Sequence, residues 1–181
     1  ANHTIKAAFA INKYTLTASA GVNGSISPSG TQVVNYGVNR TYTVTPDAGY
    51  HVDSLIVDGS DLGQLTSHVF TNITADHTIR AVFAINQYTI TATSKIHGTI
   101  SPIGAVIVNY GADQLFTALP DTGYHIDSLF VDGINQGQLP AYTFTSVAAN
   151  HTIKTAFAIN KYTITASAGV NGSISPSGTQ V

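Results

Sequence analysis

From Tyr14 the chain alternates apolar and polar residues in the stretch YTLTASA. A period of two puts Tyr14, Leu16 and Ala18 on one face and the hydroxyl residues on the other, the pattern of a half-buried strand. Gly21–Gly24 turns the chain, and SISP reads as a return strand closed by Pro28. TQVVNYG and RTYTVTP form the next expected hairpin, around Gly37–Asn39. Pro46–Gly49 supplies Pro, Asp and Gly for a tight turn. YHVDSLIVDG follows, a strand or a single helical turn leading into one, and Asp58-Gly59 ends it. HVFTNIT and HTIRAVFAIN complete the pattern. No stretch shows a helical period. The reading is a β-rich unit of six or seven short strands.

The pattern then starts again. YT[LI]TA occurs at Tyr14, Tyr88 and Tyr162, a spacing of 74 residues. ISP, VNYG, GYH, VDG and HTI keep the same offset, with no insertion or deletion between copies. The first 33 residues and the last 33 differ only at Ala7 against Thr155 and at Leu16 against Ile164. The two full copies are about half identical, so the true period is an A–B pair of 148 residues. The chain divides into 1–13, the last strand of a preceding repeat; 14–87, repeat A; 88–161, repeat B; and 162–181, the first hairpin of a following repeat. It reads as a window on a longer array. HTIRAVFAINQYTITATS crosses the A–B boundary without Gly or Pro, unlike a flexible linker. That predicts an extended, stiff rod of small modules.

Composition narrows the function classes. Charged residues are 9% of the chain, against roughly 25% in ordinary domains. All nine acids are Asp, and Cys, Met and Trp are absent. The best helix formers are scarce, while Thr, Val, Ile, Tyr and Phe suit a pleated surface. The net charge of −2 and the lack of a basic cluster give no footprint for nucleic acid. No apolar run approaches the ~20 residues of a membrane span.

The segments PDAGYHVDSLIVDG and ADHTIRAVFA, with their counterparts PDTGYHIDSLFVDG and ANHTIKTAFA, resemble the divergent InlB B-repeat family of bacterial surface and secreted proteins. Both full copies and both partial ones take part. The resemblance implies tandem extracellular modules, all-β and related to the β-grasp, with a stalk, adhesin or surface-fibre role. It implies no catalytic residues and no cofactor. Many members carry a Trp after the GY segment; this chain has none.

Several residues offer chemistry. His51, Asp53 and Ser54, with His125, Asp127 and Ser128, suggest a triad, but neighbours on a strand face opposite sides. His51 with Asp53, and His125 with Asp127, share a face of an extended strand and form candidate metal pairs, with His77 a third ligand for the first. A histidine that hydrogen-bonds a turn explains them more simply. Asp58 and Asp61 suggest a calcium loop, yet copy B keeps one carboxylate, Asp132 beside Asn135, which favours an Asx turn. His68 and His97 face Tyr142 and Asn171 at equivalent positions and read as surface variation. N-x-[ST] sequons begin at Asn2, Asn23, Asn39, Asn72, Asn150 and Asn171. The recurring Tyr36, Tyr50, Tyr110 and Tyr124, and Phe70, Phe83, Phe144 and Phe157, read as packing rather than as a glycan platform. A Lys–Asn or Lys–Asp cross-link within a unit is a further option.

The leading expectation is a non-enzymatic extracellular structural protein whose partners are neighbouring repeats or further copies of itself. In a sharper form, the end segments complement one another in trans, using His3, Ile5, Phe9, Ile11, Tyr162, Ile164 and Ile174. The rival is an adhesin module that binds a glycan or a surface protein.

Overall fold

A computed structural model describes residues 2–181. The chain falls into two compact units, which meet in sequence at Asn86 and Gln87. The first contains β1 (Lys13–Ala20), β2 (Gly24–Ser27), β3 (Gly30–Asn35), β4 (Arg40–Pro46), β5 (Tyr50–Val57), β6 (Ser60–Asp61), β7 (Ser67–Phe70) and β8 (His77–Ile85). The second repeats the order as β9 (Gln87–Ser94), β10 (Gly98–Ser101), β11 (Gly104–Asn109), β12 (Gln114–Pro120), β13 (Tyr124–Val131), β14 (Ile134–Asn135), β15 (Ala141–Phe144) and β16 (His151–Ile159). Two short strands follow, β17 (Ile164–Ala166) and β18 (Gly178–Gln180). The protein is all-β among the described residues.

Each unit holds a five-stranded sheet and a three-stranded one. In the first the orders are β3-β1-β8-β5-β6 and β2-β4-β7; in the second, β11-β9-β16-β13-β14 and β10-β12-β15. β1 and β8 run parallel, with Leu16 opposite His77, and the other pairings within the unit are antiparallel. A parallel pair needs a long crossover, and here the rest of the unit supplies it.

The expected hairpins do not form. β1 pairs with β3, not with β2, and β2 pairs with β4. The apolar pattern explains why. Leu16 and Ala18 come from the large sheet, Ile26, Tyr42 and Val44 from the small one, and all are buried in one core. A β1–β2 hairpin would put Ile26 in the same sheet as Leu16 and leave the small sheet without its edge. The chain instead changes sheets at Gly21–Asn23 and returns at 28–29. The stretch from Tyr50 is strand from its first residue, with no helical turn. The register of β5 against β8 shifts between Val52 and Ser54, so Asp53 is the extra residue of a bulge.

The second core reuses the plan with Ile90, Ala92, Ile100, Phe116, Leu129, Phe144, Val147 and Ile153. One exchange matters for stability. Phe116 stands where the first unit has Tyr42, and both are fully buried. The Tyr42 hydroxyl finds no hydrogen-bond partner among the described residues, and burial pushes its pKa up, partly offset by Arg40. An unpaired buried hydroxyl costs about 1–3 kcal/mol. Tyr42→Phe should therefore raise the stability of the first unit by about 1 kcal/mol, read as a higher denaturant midpoint.

Candidate functional site

His51 and His125 are committed to the end of their own unit. His51 Nδ1 lies 2.8 Å from Asn86 Oδ1, and His125 Nδ1 lies 2.9 Å from Asn160 Oδ1. The Asn86 and Asn160 N–H groups donate to the carbonyls of Gly49 and Gly123 at 2.8 Å. The penultimate residue of each repeat is thus held twice to its GYH turn. Asp53 and Asp127 are exposed, while Ser54 and Ser128 are buried. Ser128 Oγ donates to Asp127 Oδ2 at 3.0 Å. Neither His–Asp pair gathers a third ligand: no group of three or more His, Cys, Asp or Glu suited to a metal occurs among the described residues. His77 belongs elsewhere.

Its partner is Asp58. His77 Nδ1 sits 2.6 Å from Asp58 Oδ2, and the Thr78 N–H donates to Asp58 Oδ1 at 2.7 Å. The second unit repeats this with His151, Thr152 and Asp132 at 2.7 and 2.7 Å. Behind the pair, His77 stacks on Phe70 and His151 lies over Phe144, with centroids 4.7 and 4.9 Å apart. The arrangement pins the turn after β5 or β13 to the start of β8 or β16. Burial works against the Asp58 charge, but the Thr78 N–H, the His77 ring and the Thr78 hydroxyl outweigh it, so the carboxyl titrates below its ordinary value. Asp132 behaves likewise, with burial opposed by His151 and Thr152. A depressed carboxylate stabilises the fold above its unfolded pKa of about 3.9, and that stability is lost as pH falls through the folded value. Acid titration should therefore weaken both units below about pH 4. Asp58→Asn with Asp132→Asn should flatten that limb, as read from thermal midpoints down to about pH 2.

Three of the five remaining acids, Asp61, Asp76 and Asp113, fall into a pattern that bears on chemistry, while Asp47 and Asp121 are the same residue in both units. Asp61 Oδ1 accepts from the Gly63 N–H at 2.8 Å, and Asn135 Oδ1 accepts from Gly137 at 2.7 Å. Asp76 and Asn150 accept from the N–H groups of Thr15 and Thr89 at 2.7 and 2.8 Å. Asn39 and Asp113 accept from Asn72 and Ser146, both at 2.8 Å. At all three positions the two units keep an oxygen acceptor and exchange the charge. A cation site or a general base needs the charge; a turn needs only the acceptor. Asp61, held by the Gly63 N–H, is one member of this set.

Two other readings change. His68 and His97 are more than surface variation: His68 packs edge-on against Phe70 at 4.7 Å, as Tyr142 does on Phe144 at 5.0 Å, and His97 stacks on Tyr124 at 4.1 Å. The buried polar residues among those described are Ser54, Ser128 and Thr155. No lysine is buried among the described residues. A groove of about 220 Å³ lies beside Asp132 and His151, lined also by Thr89, Thr91, Asn150 and Thr152. Both oxygens of its carboxylate are already engaged.

The end segments differ sharply from their counterparts. Residues 2–12 form no strand, and Ile5, Phe9 and Ile11 are exposed, Phe9 at 96%. The equivalent segment β8, which differs from residues 3–11 only in Arg80 for Lys6 and Val82 for Ala8, lies between β1 and β5 and buries Ile79 in the core. Residues 2–12 have no such neighbours, and an isolated strand leaves its backbone unpaired. Beyond β16, Ile164 pairs with Gln180 just as Leu16 pairs with Gln32. Ile164 is 70% exposed, whereas Leu16 is fully buried. Tyr162 and Ile174 are also exposed.

Two units of one all-β plan, with their polar side chains spent on turns and strand ends, define a tandem-repeat protein. The family of the divergent InlB B-repeat domain matches residues 14–87 and again 88–161, and the chain belongs to that family. No curated protein matches the chain. No helix among the described residues is long and apolar enough to cross a membrane.

Proposed function

We propose that this chain is a length of a non-enzymatic, extracellular structural array, serving as a stalk or surface fibre. The observation that carries the proposal is the repeated frame. The 74-residue register recurs without a single insertion, and one residue, Asn86, separates β8 from β9. That residue is fastened to its own unit through backbone and side chain. The exchange of Asp for Asn at three acceptor positions supports a structural use of these groups, and family membership supports a surface or secreted setting. Low charge leaves little self-repulsion between copies.

Strand complementation between end segments is the narrower form of the proposal. Residues 162–181 and 1–13 hold counterparts of β1, β2, β3 and β8 only. A joint made from them would lack everything supplied by β4 to β7, including Tyr42, Val44, Leu55 and Phe70 of the core. The continuous covalent array is therefore the stronger reading. Electron micrographs of chains with one, two and four A–B pairs test it. Length growing in proportion to pair number at constant width is expected, whereas particles that grow in all dimensions would overturn it.

A further inference from the structure

β3 and β11 are the longer edge strands of the two large sheets, each paired on one side only among the described residues; the opposite edges, β6 and β14, are two residues long. An edge strand offers a row of unpaired N–H and C=O groups, and proteins ordinarily guard such rows with charge, proline or a bulge. The first unit does so. Arg40 Nη2 donates to Gln32 Oε1 of β3 at 3.4 Å, which sets an inward-facing guanidinium, its Nε buried without a partner among the described residues, against that strand. The second unit has lost the guard. Val106 replaces Gln32 and packs against the core, and Gln114 replaces Arg40 and turns back to the carbonyl of Leu115. Ala105 stands for Thr31 and Ile103 for Ser29. The resulting strand, GAVIVN, is six residues long, uncharged, free of proline and in regular register with β9 from end to end. Uncharged segments of high β propensity are those that add strands most readily.

We infer that the β11 edge is a self-association site, at which two copies of this chain pair their β11 strands antiparallel about a two-fold axis. A two-fold is the natural operator because an antiparallel pair of identical strands is self-complementary. Centring the pair on Val106 sets Ala105 beside the partner's Ile107, a small side chain against a large one on the same face. Identical neutral edges carry no repulsion to overcome. The occupant is a second copy rather than an unrelated strand, because two identical antiparallel edges are self-complementary and GAVIVN has no charge to select another partner. This inference stands apart from the proposed stalk function, which needs no lateral contact.

Sedimentation of the 181-residue chain from micromolar to millimolar concentration tests it. The wild type should shift from one chain towards two. Ile107→Lys puts a charge on the edge at a position 65% exposed in the monomer and should hold the protein at one chain. Val33→Lys, at the equivalent and equally exposed position of β3, should leave association unchanged. The double variant Val106→Gln/Gln114→Arg copies the guard of the first unit and should also abolish the dimer, which keeps the test decisive should Ile107→Lys misfold. A wild type that stays a single chain throughout would overturn the inference. So would a dimer that survives both edge variants, since association through the exposed end segments is untouched by them, or a dimer lost equally to Val33→Lys. Failure here would leave the length-against-repeat result of the array unaffected.

Discussion

Phe116→Ala is expected to destabilise the second unit by about 3–5 kcal/mol and leave the first unchanged. Phe116 is fully buried at the centre of the small sheet and meets Phe144 edge-on at 5.9 Å. Truncating a buried Phe costs about 3–5 kcal/mol, the lost transfer energy plus the cavity left behind. A unit of 74 residues has a total stability of only about 4–11 kcal/mol. The loss then runs from about a quarter of that margin to all of it, and it falls on one core because the units have separate buried clusters. Amide exchange reads the outcome by residue. Ile90 and Ile153 should lose protection while Leu16 and Ile79 keep theirs. Equal loss at all four would show that the two cores share one cooperative transition.

The second large effect comes from a glycine. A Cβ placed on Gly24 would lie 2.4 Å from Cζ of Phe83, and one on Gly98 would lie 2.5 Å from the ring of Phe157. Neither glycine is needed for a left-handed backbone; each leaves room for an aromatic ring seated on the strand. Gly24→Ala forces that ring to move and should cost about 1–3 kcal/mol in the first unit. Phe83→Leu should cost stability alone but relieve part of the Gly24→Ala penalty. Urea unfolding of the two single variants and the double variant would reveal this as a non-additive cycle. Additive losses would mean that the ring is not what excludes the methyl group.

Much of this frame was legible in the residues. Alternation from Tyr14 placed β1 and its inward residues, and the 74-residue period placed every element of the second unit from the first. What alternation could not show was which strand lies beside which. Leu16 and Ile26 both read as inward, and inward is the same statement whether two strands are neighbours or face each other across a core. The close approach of Phe83 to Gly24 was hidden for the same reason. The Asp58–His77 pair was within reach, since DG and HT recur together at the repeat spacing, but residues 19 apart give no periodic cue that they touch. Residues 3–12 show the converse. Their sequence is that of a buried strand, and burial depends on neighbours that a local pattern cannot supply.

The central claim is that each repeat is a self-contained structural module. Mechanical extension of single 181-residue chains, held at their two ends, tests it most directly. The account predicts two unfolding events, each releasing one 74-residue repeat and so about 25 nm of chain, with Phe116→Ala weakening one of them alone. Featureless extension, or one event releasing both repeats together, would contradict it.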